Sequence, residues 1–100
     1  MKSTLQNCLQ TIEEESTELW QGHEIDIEAI SGAIHSASRI ILDITEKLSD
    51  EDKLTTINYI KSGLKSFEDA CNARDDYMLA DCLYYQWREI ITIYRDVLEG

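Results

Sequence analysis

The amino-acid sequence predicts an all-α fold, in which residues 1–100 form a single domain, a four-helix up-and-down antiparallel bundle. Three observations lead to this prediction. A chain of 100 residues is long enough for one hydrophobic core and no more. The sequence contains no proline and four isolated glycines. In four consecutive segments the apolar residues recur in steps of three and four, which keeps them on one side of a helix, whereas a strand requires steps of two.

The first predicted helix covers about residues 4–20 and the second about residues 25–48. Between them, Gly22 can adopt the left-handed conformation that ends helices. The connection is short, so we expect the two helices to be antiparallel neighbours. The residues that follow the spacing of three and four, all apolar except Ser16, are Leu5, Leu9, Ile12, Ser16 and Leu19 in the first helix, and Ile30, Ile34, Ala37, Ile41, Ile44 and Leu48 in the second.

The third predicted helix covers about residues 50–72 and the fourth about residues 76–98. The Ser49 hydroxyl can cap the amide groups at the start of the third helix, and Asp75 or Asp76 can do the same for the fourth. The apolar positions are Leu54, Ile57, Ile60, Leu64, Phe67 and Cys71 in the third helix, and Ala80, Leu83, Trp87, Ile90, Tyr94 and Val97 in the fourth.

Small residues lie beside the seam of the third predicted helix, which is the row formed by its apolar positions. Thr56, Gly63 and Ala70 recur every seven residues beside that seam. A glycine in a helix interior costs about 1 kcal/mol relative to alanine. We therefore expect Gly63 to provide room for a large side chain, either Trp20 or Trp87.

The fourth predicted helix has an apolar face that is wider than a bundle requires. On a regular helical wheel this face covers about 200°, whereas a stripe somewhat over 100° wide is sufficient. Tyrosine and tryptophan are favoured at protein interfaces. We therefore expect this face to bind another protein or a second copy of the chain, with a homodimer as the expected assembly. The predicted interface residues are Tyr77, Tyr84, Trp87, Ile91, Tyr94 and Leu98.

Charge and cysteine content narrow the classes of partner and compartment. Twenty acidic and nine basic residues give a net charge of −11, which disfavours binding to nucleic acid or to a membrane of anionic lipid. No apolar run reaches the length of about 18 residues that a membrane span needs. Three scattered cysteines favour a reduced, cytoplasmic protein. Cys71 falls in an apolar seam, Cys8 at the edge of one, and Cys82 is expected to be more exposed.

The sequence contains few residue patterns that are typical of catalysis or metal binding. Neither His23 nor His35 follows a glutamate by three residues, and both are expected on the surface. Zinc-type spacing and a glycine-rich phosphate loop are also missing from the sequence. We therefore predict a non-enzymatic interaction module, an adaptor or a small chaperone-like bundle, without catalytic residues, cofactor or metal.

An acidic run in the first predicted helix suggests an enzymatic alternative. Glu14-Glu15-Ser16-Thr17-Glu18 resembles the first half of the metal-binding motif in all-α nucleotide pyrophosphohydrolases of the MazG type. The resemblance implies that Mg²⁺ is held against a triphosphate by Glu14, Glu15, Glu18 and Asp43. It departs from the family at Ile40-Ile41-Leu42-Asp43, where an isoleucine replaces the first acid of Glu-x-x-Asp. This alternative requires the four carboxylates to converge across the first two helices.

The start of the fourth predicted helix resembles a hairpin found in uncharacterised small acidic helical-bundle proteins of Gram-positive bacteria, some associated with regions near motility genes. The residues that carry this resemblance are Ala73-Arg74-Asp75-Asp76-Tyr77-Met78-Leu79-Ala80-Asp81-Cys82-Leu83-Tyr84-Tyr85. The resemblance implies a helical bundle in which Asp76 caps the helix and Ala80 allows close approach of the third helix. It implies no catalytic residues.

Overall fold

The four helices run alternately up and down, which confirms the predicted all-α bundle. The computed structural model describes the backbone of residues 2–99 and the side chains of residues 4–97, and these residues contain no strand. The first three helices are α1 (Lys2–Trp20), α2 (Ile27–Thr45) and α3 (Asp50–Ala73). A continuous C-terminal helix follows, made of α4 (Asp76–Asp81), a π-helical segment (Cys82–Trp87) and α5 (Arg88–Glu99).

Side-chain contacts show how the helices are oriented. Near one end of the molecule, Arg95 Nη1 donates a hydrogen bond of 2.9 Å to Gln6 Oε1. Near the other end, the rings of Trp20 and Tyr84 lie 4.9 Å apart. The C-terminal helix is therefore antiparallel to α1. It is antiparallel to α3 as well, because Trp87 contacts Gly63 whereas Tyr94 contacts the earlier residue Thr56.

The core is formed mainly by α1, α2 and the C-terminal helix. Buried hydroxyl groups within it are satisfied by their own helices: Ser16, Ser38 and Thr45 each donate to the carbonyl oxygen four residues back, at 2.6 to 2.7 Å. No water is required to satisfy these three groups. The largest fully buried side chains are Trp87, Leu5, Ile12, Ile30, Ile34, Ile41, Leu83 and Ile91.

Helix α3 packs through Ile60 of its predicted seam and through the small residues beside that seam, rather than through the seam as a whole. Thr56, Ile60, Gly63 and Ala70 are its buried residues. The other large residues of the predicted seam are half-buried, except Leu54, which is exposed. The small side chains allow close approach of the C-terminal helix, so the buried face is displaced from the one predicted.

Gly63 makes room for Trp87, as one of the two predicted alternatives requires. The Trp87 indole is fully buried, and its Nε1 donates a hydrogen bond of 3.1 Å to the Gly63 carbonyl oxygen. A Cβ atom on residue 63 would lie 2.8 Å from Trp87 Cζ2.

The helix ends follow capping chemistry, partly as predicted. Gly22 has φ 75°, and the side chains of Ser49 and Asp75 accept hydrogen bonds from the amides of Asp52 and Met78. The bounds predicted for the second helix are too wide. Asp26 caps α2 through the Ala29 amide at 3.1 Å, so the helix begins at residue 27. After Thr45, the amides of Lys47 and Leu48 bond to carbonyl oxygens three residues back instead of four, so the α-helix ends there.

The C-terminal helix widens at its centre, which corrects the prediction of a regular fourth helix. The Arg88 amide bonds to the Leu83 carbonyl, five residues back instead of four. The Tyr84 carbonyl instead accepts a hydrogen bond of 3.1 Å from Arg88 Nε. A wide turn holds one extra residue, which rotates α4 relative to α5 by about 100° compared with a regular helix.

Candidate functional site

A groove lies between α3 and the C-terminal helix, with a volume of about 540 Å³. Its walls are joined by two side-chain hydrogen bonds, an exposed one from Gln86 Nε2 to Ser62 Oγ at 3.2 Å and a buried one between the Thr56 and Tyr94 hydroxyls. The groove is therefore formed within one copy of the folded chain. The residues that line it are Tyr59, Ser62, Ser66, Met78, Asp81, Cys82, Tyr85, Gln86, Glu89, Ile90, Ile93 and Tyr94.

The groove exposes several large apolar side chains. Tyr59 on one wall and Met78, Tyr85 and Ile93 on the other are all exposed to solvent. The Tyr85 ring is braced from outside the groove, because it lies 5.1 Å from the Tyr84 ring and 6.3 Å from the Trp20 ring. The Tyr85 ring therefore has aromatic partners on its own helix and on α1 before any partner binds.

The π-helical segment aligns the C-terminal wall of the groove. Two rows of residues spaced by four line that wall: Met78, Cys82, Gln86, Ile90 and Tyr94, and Asp81, Tyr85, Glu89 and Ile93. In a regular α-helix each step of four drifts by about 40°, so four steps turn a row by about 160°. The wide turn of the π-helical segment reverses about 100° of that rotation, so both rows remain on one wall.

Cys82 lies in the groove as a buried thiol, which corrects the expectation that it is more exposed. Its residue is 8% exposed, whereas Cys71 is half-buried. Burial, with a smaller contribution from Cys71, raises the pKa of the Cys82 thiol from 9.0 to about 11. Burial also raises the pKa of Cys8 and Cys71. These thiols are protonated at neutral pH, the unreactive form.

The predicted interface residues divide between core and surface. Trp87 and Ile91 are fully buried within one copy of the chain, so their placement in an interface is wrong. Tyr94 is nearly buried and contributes only to the groove floor. Tyr84 is half-buried, and Tyr77 is 70% exposed but lies outside the groove. The sixth residue, Leu98, has a side chain outside the described residues.

The four carboxylates of the hydrolase alternative are not brought together. Glu14, Glu15 and Glu18 lie beside the turn that leads into α2, where Glu15 Oε2 accepts a hydrogen bond of 3.3 Å from the Asp26 amide. Asp43 lies about 25 Å farther along α2, at 1.5 Å per residue. The predicted convergence is therefore wrong. Among the described residues, no group of three or more His, Cys, Asp or Glu could hold a metal ion.

Both histidines are exposed, as the sequence predicts. His23 Nδ1 lies 2.6 Å from Glu18 Oε2, an exposed pair in the turn after α1. The structure brings neither histidine to the groove between α3 and the C-terminal helix.

Comparison with known proteins gives no relative: no family model, no curated protein and no solved structure matches this chain. Within the part of the chain that the structure describes, no helix combines the length and the apolarity needed to cross a bilayer.

Proposed function

We propose that the protein is a non-enzymatic interaction module that binds an amphipathic helix of a partner protein in the groove between α3 and the C-terminal helix. The observation that carries the proposal is the preformed groove, in which Tyr59, Met78, Tyr85 and Ile93 are exposed and whose two walls are joined by hydrogen bonds. Exposed apolar residues gathered in one concave surface are typical of a binding site.

The dimensions of the groove favour a helix as the occupant. Its C-terminal wall runs from Met78 to Tyr94, about 24 Å at 1.5 Å per residue. A partner helix of about 16 residues has this length. Such a helix buries apolar residues at successive turns against the groove, which is a common mode of peptide recognition. An adaptor or a small chaperone-like protein would act in this way.

The proposal retains two further predictions from the sequence. Three cysteines without disulfide partners fit a cytoplasmic protein. A second copy of the chain is the alternative occupant and would give a homodimer. The net charge of −11 opposes this pairing, and light scattering over a range of concentrations measures it directly.

The test is selection from a displayed library of amphipathic helical peptides of about 16 residues. The binding of peptides enriched on the wild-type protein is then measured for Ile93→Asn, which replaces an apolar side chain of the groove by a neutral polar one, and for Leu42→Asn on α2. The two residues are matched, since Ile93 is 44% exposed and Leu42 is 41% exposed. We expect Ile93→Asn to weaken peptide binding at least about tenfold, the effect of about 1.4 kcal/mol, and Leu42→Asn to leave it unchanged.

Circular dichroism and urea unfolding of both variants establish that they remain folded. The proposal fails if the wild-type protein enriches no peptide. It also fails if the enriched peptides bind Ile93→Asn as tightly as wild type, because they would then occupy another surface.

A further inference from the structure

The groove carries charge of one sign. Among its lining residues only Asp81 and Glu89 are charged, and both lie on the C-terminal wall. The opposite wall is neutral where it borders the groove, formed by Tyr59, Ser62 and Ser66. Both acidic residues are exposed. Neither belongs to an ion pair within 4.0 Å among the side chains of residues 4–97, so both are available to an occupant of the groove.

The two carboxylates alternate with apolar residues along one row. The row reads Asp81, Tyr85, Glu89 and Ile93, in steps of four, and the π-helical segment keeps all four residues on the same wall. Asp81 and Glu89 are eight residues apart, which corresponds to about 12 Å along the helix at 1.5 Å per residue. On a partner helix, this spacing corresponds to positions seven or eight residues apart.

We infer that the occupant of the groove is a cationic amphipathic helix. Its apolar residues pack on Tyr85 and Ile93, and two Lys or Arg residues, seven or eight positions apart, pair with Asp81 and Glu89. This inference rests on the proposed function and specifies the chemistry of the partner. Opposite charges at the rim steer binding and reject partners of the same charge.

Charge also decides between the possible occupants. A second copy of this chain would bring its own net charge of −11, and a two-fold contact would place the same pair of carboxylates on both sides of the interface. Nucleic acid and anionic lipid carry the same sign as the rim. A basic helix of another protein has the complementary charge.

The test uses the peptides selected on the wild-type protein, labelled and measured by fluorescence anisotropy. Each is compared with versions in which its Lys and Arg residues are replaced by Gln or by Glu. The protein variants are Asp81→Asn/Glu89→Gln and the control Asp43→Asn/Glu46→Gln, which removes the same charge from exposed positions at the C-terminal end of α2, where Glu46 is the C-cap. At low salt we expect the groove variant to weaken binding about three- to tenfold, since exposed ion pairs contribute modestly.

We expect the Gln peptides to bind the wild-type protein more weakly than the selected peptides, and the Glu peptides to bind more weakly still. These differences in affinity should shrink in high salt. Two results overturn the inference while the proposed function stands: peptide binding that depends on Ile93 but is equal for wild type and Asp81→Asn/Glu89→Gln, or equal weakening by the groove variant and the α2 control. Peptides that do not depend on Ile93 overturn the proposed function itself.

Discussion

At Gly63 the missing side chain determines how closely two helices approach. The Trp87 ring fills the space that a Cβ atom would occupy, and its indole N–H is satisfied by the glycine's own carbonyl. An indole this deeply buried needs such a partner, because an unpaired polar group in the core costs about 1–3 kcal/mol. The neighbouring hydrogen bond from Gln86 to Ser62 joins the same two helices.

Gly63→Ala is expected to lower the free energy of unfolding by about 1–3 kcal/mol, because overpacking against a rigid indole outweighs the better helix propensity of alanine. Gly32→Ala is the control. Gly32 lies inside α2 with no heavy atom within 4 Å of the added Cβ, so that variant should gain up to about 1 kcal/mol. Urea unfolding followed by circular dichroism measures both. Equal stabilisation by both variants would contradict the close contact.

Burial of the Cys82 thiol raises the pH at which this thiol becomes reactive. With the pKa raised from 9.0 to about 11, we expect iodoacetamide at pH 8 to label native Cys82 about a hundredfold more slowly than in urea, because the thiolate is the reactive form. The folded pKa is above the unfolded one, so this thiol's contribution to stability is complete below pH 9.0 and is lost as the pH rises through about 11.

Mass spectrometry of the cysteine-containing peptides follows the labelling. Half-buried Cys71 is the internal control and should react before Cys82. Equal rates for native and unfolded Cys82 would show that the thiol is accessible in the folded protein.

At the scale of the helices, the start of the C-terminal helix depends on one cap. Asp75→Ala is expected to cost about 1 kcal/mol of unfolding free energy, because the Met78 amide loses its acceptor. Asp75→Asn keeps an acceptor oxygen and should cost less. Asp76→Ala serves as the control, since Asp76 lies inside the first turn and contributes mainly through the helix dipole. Urea unfolding measures the order of stability of the three variants. An equal loss of unfolding free energy for Asp75→Ala and Asp76→Ala would contradict this prediction.

The sequence predicts the four helices and most of their ends, because hydrophobic spacing and capping are local properties. It does not predict which face of α3 is buried. That choice depends on how closely Trp87 approaches Gly63, which is a property of two helices together. Apolar periodicity favoured a row of large residues, of which only Ile60 is buried, whereas close packing buries the neighbouring small residues Thr56, Gly63 and Ala70.

The groove could be predicted only in part, because its geometry depends on the π-helical segment. A wheel drawn with regular spacing places Trp87 and Ile91 in the same surface as Tyr77, although the structure buries the first two and exposes the third. The sequence pattern that could have indicated the groove is the two rows of residues spaced by four, because such rows do not stay on one side of a regular α-helix. The opposite wall, contributed by Tyr59, Ser62 and Ser66, had no local sequence signal.

At the scale of the whole molecule, repulsion between like charges opposes folding. The chain carries a net charge of −11 within principal extents of 41 × 25 × 19 Å. The Debye length is about 30 Å at 0.01 M salt and about 8 Å at 0.15 M, so only the lower concentration lets charges on opposite sides of the molecule interact. The exposed ion pair of Lys65 with Asp69, at 3.5 Å, offsets little of this repulsion.

We therefore expect the midpoint of urea unfolding to rise when NaCl increases from about 0.01 M to about 0.15 M. The same measurement on Asp43→Asn/Glu46→Gln should show a smaller increase, because that variant carries less net charge. A midpoint that is independent of salt, or that falls, would mean that local ion pairs outweigh the overall repulsion.

The positions of the two tryptophans have a practical consequence for spectroscopy. The Trp87 indole is enclosed, and Trp20 is partly exposed, 6.3 Å from the Tyr85 ring at the edge of the groove. Emission from Trp87 should shift to longer wavelength only when the chain unfolds, whereas quenching of Trp20 by a soluble agent should decrease when a ligand covers Tyr85. Replacing either indole with phenylalanine separates the signals, so one chain provides optical reporters of both unfolding and occupancy.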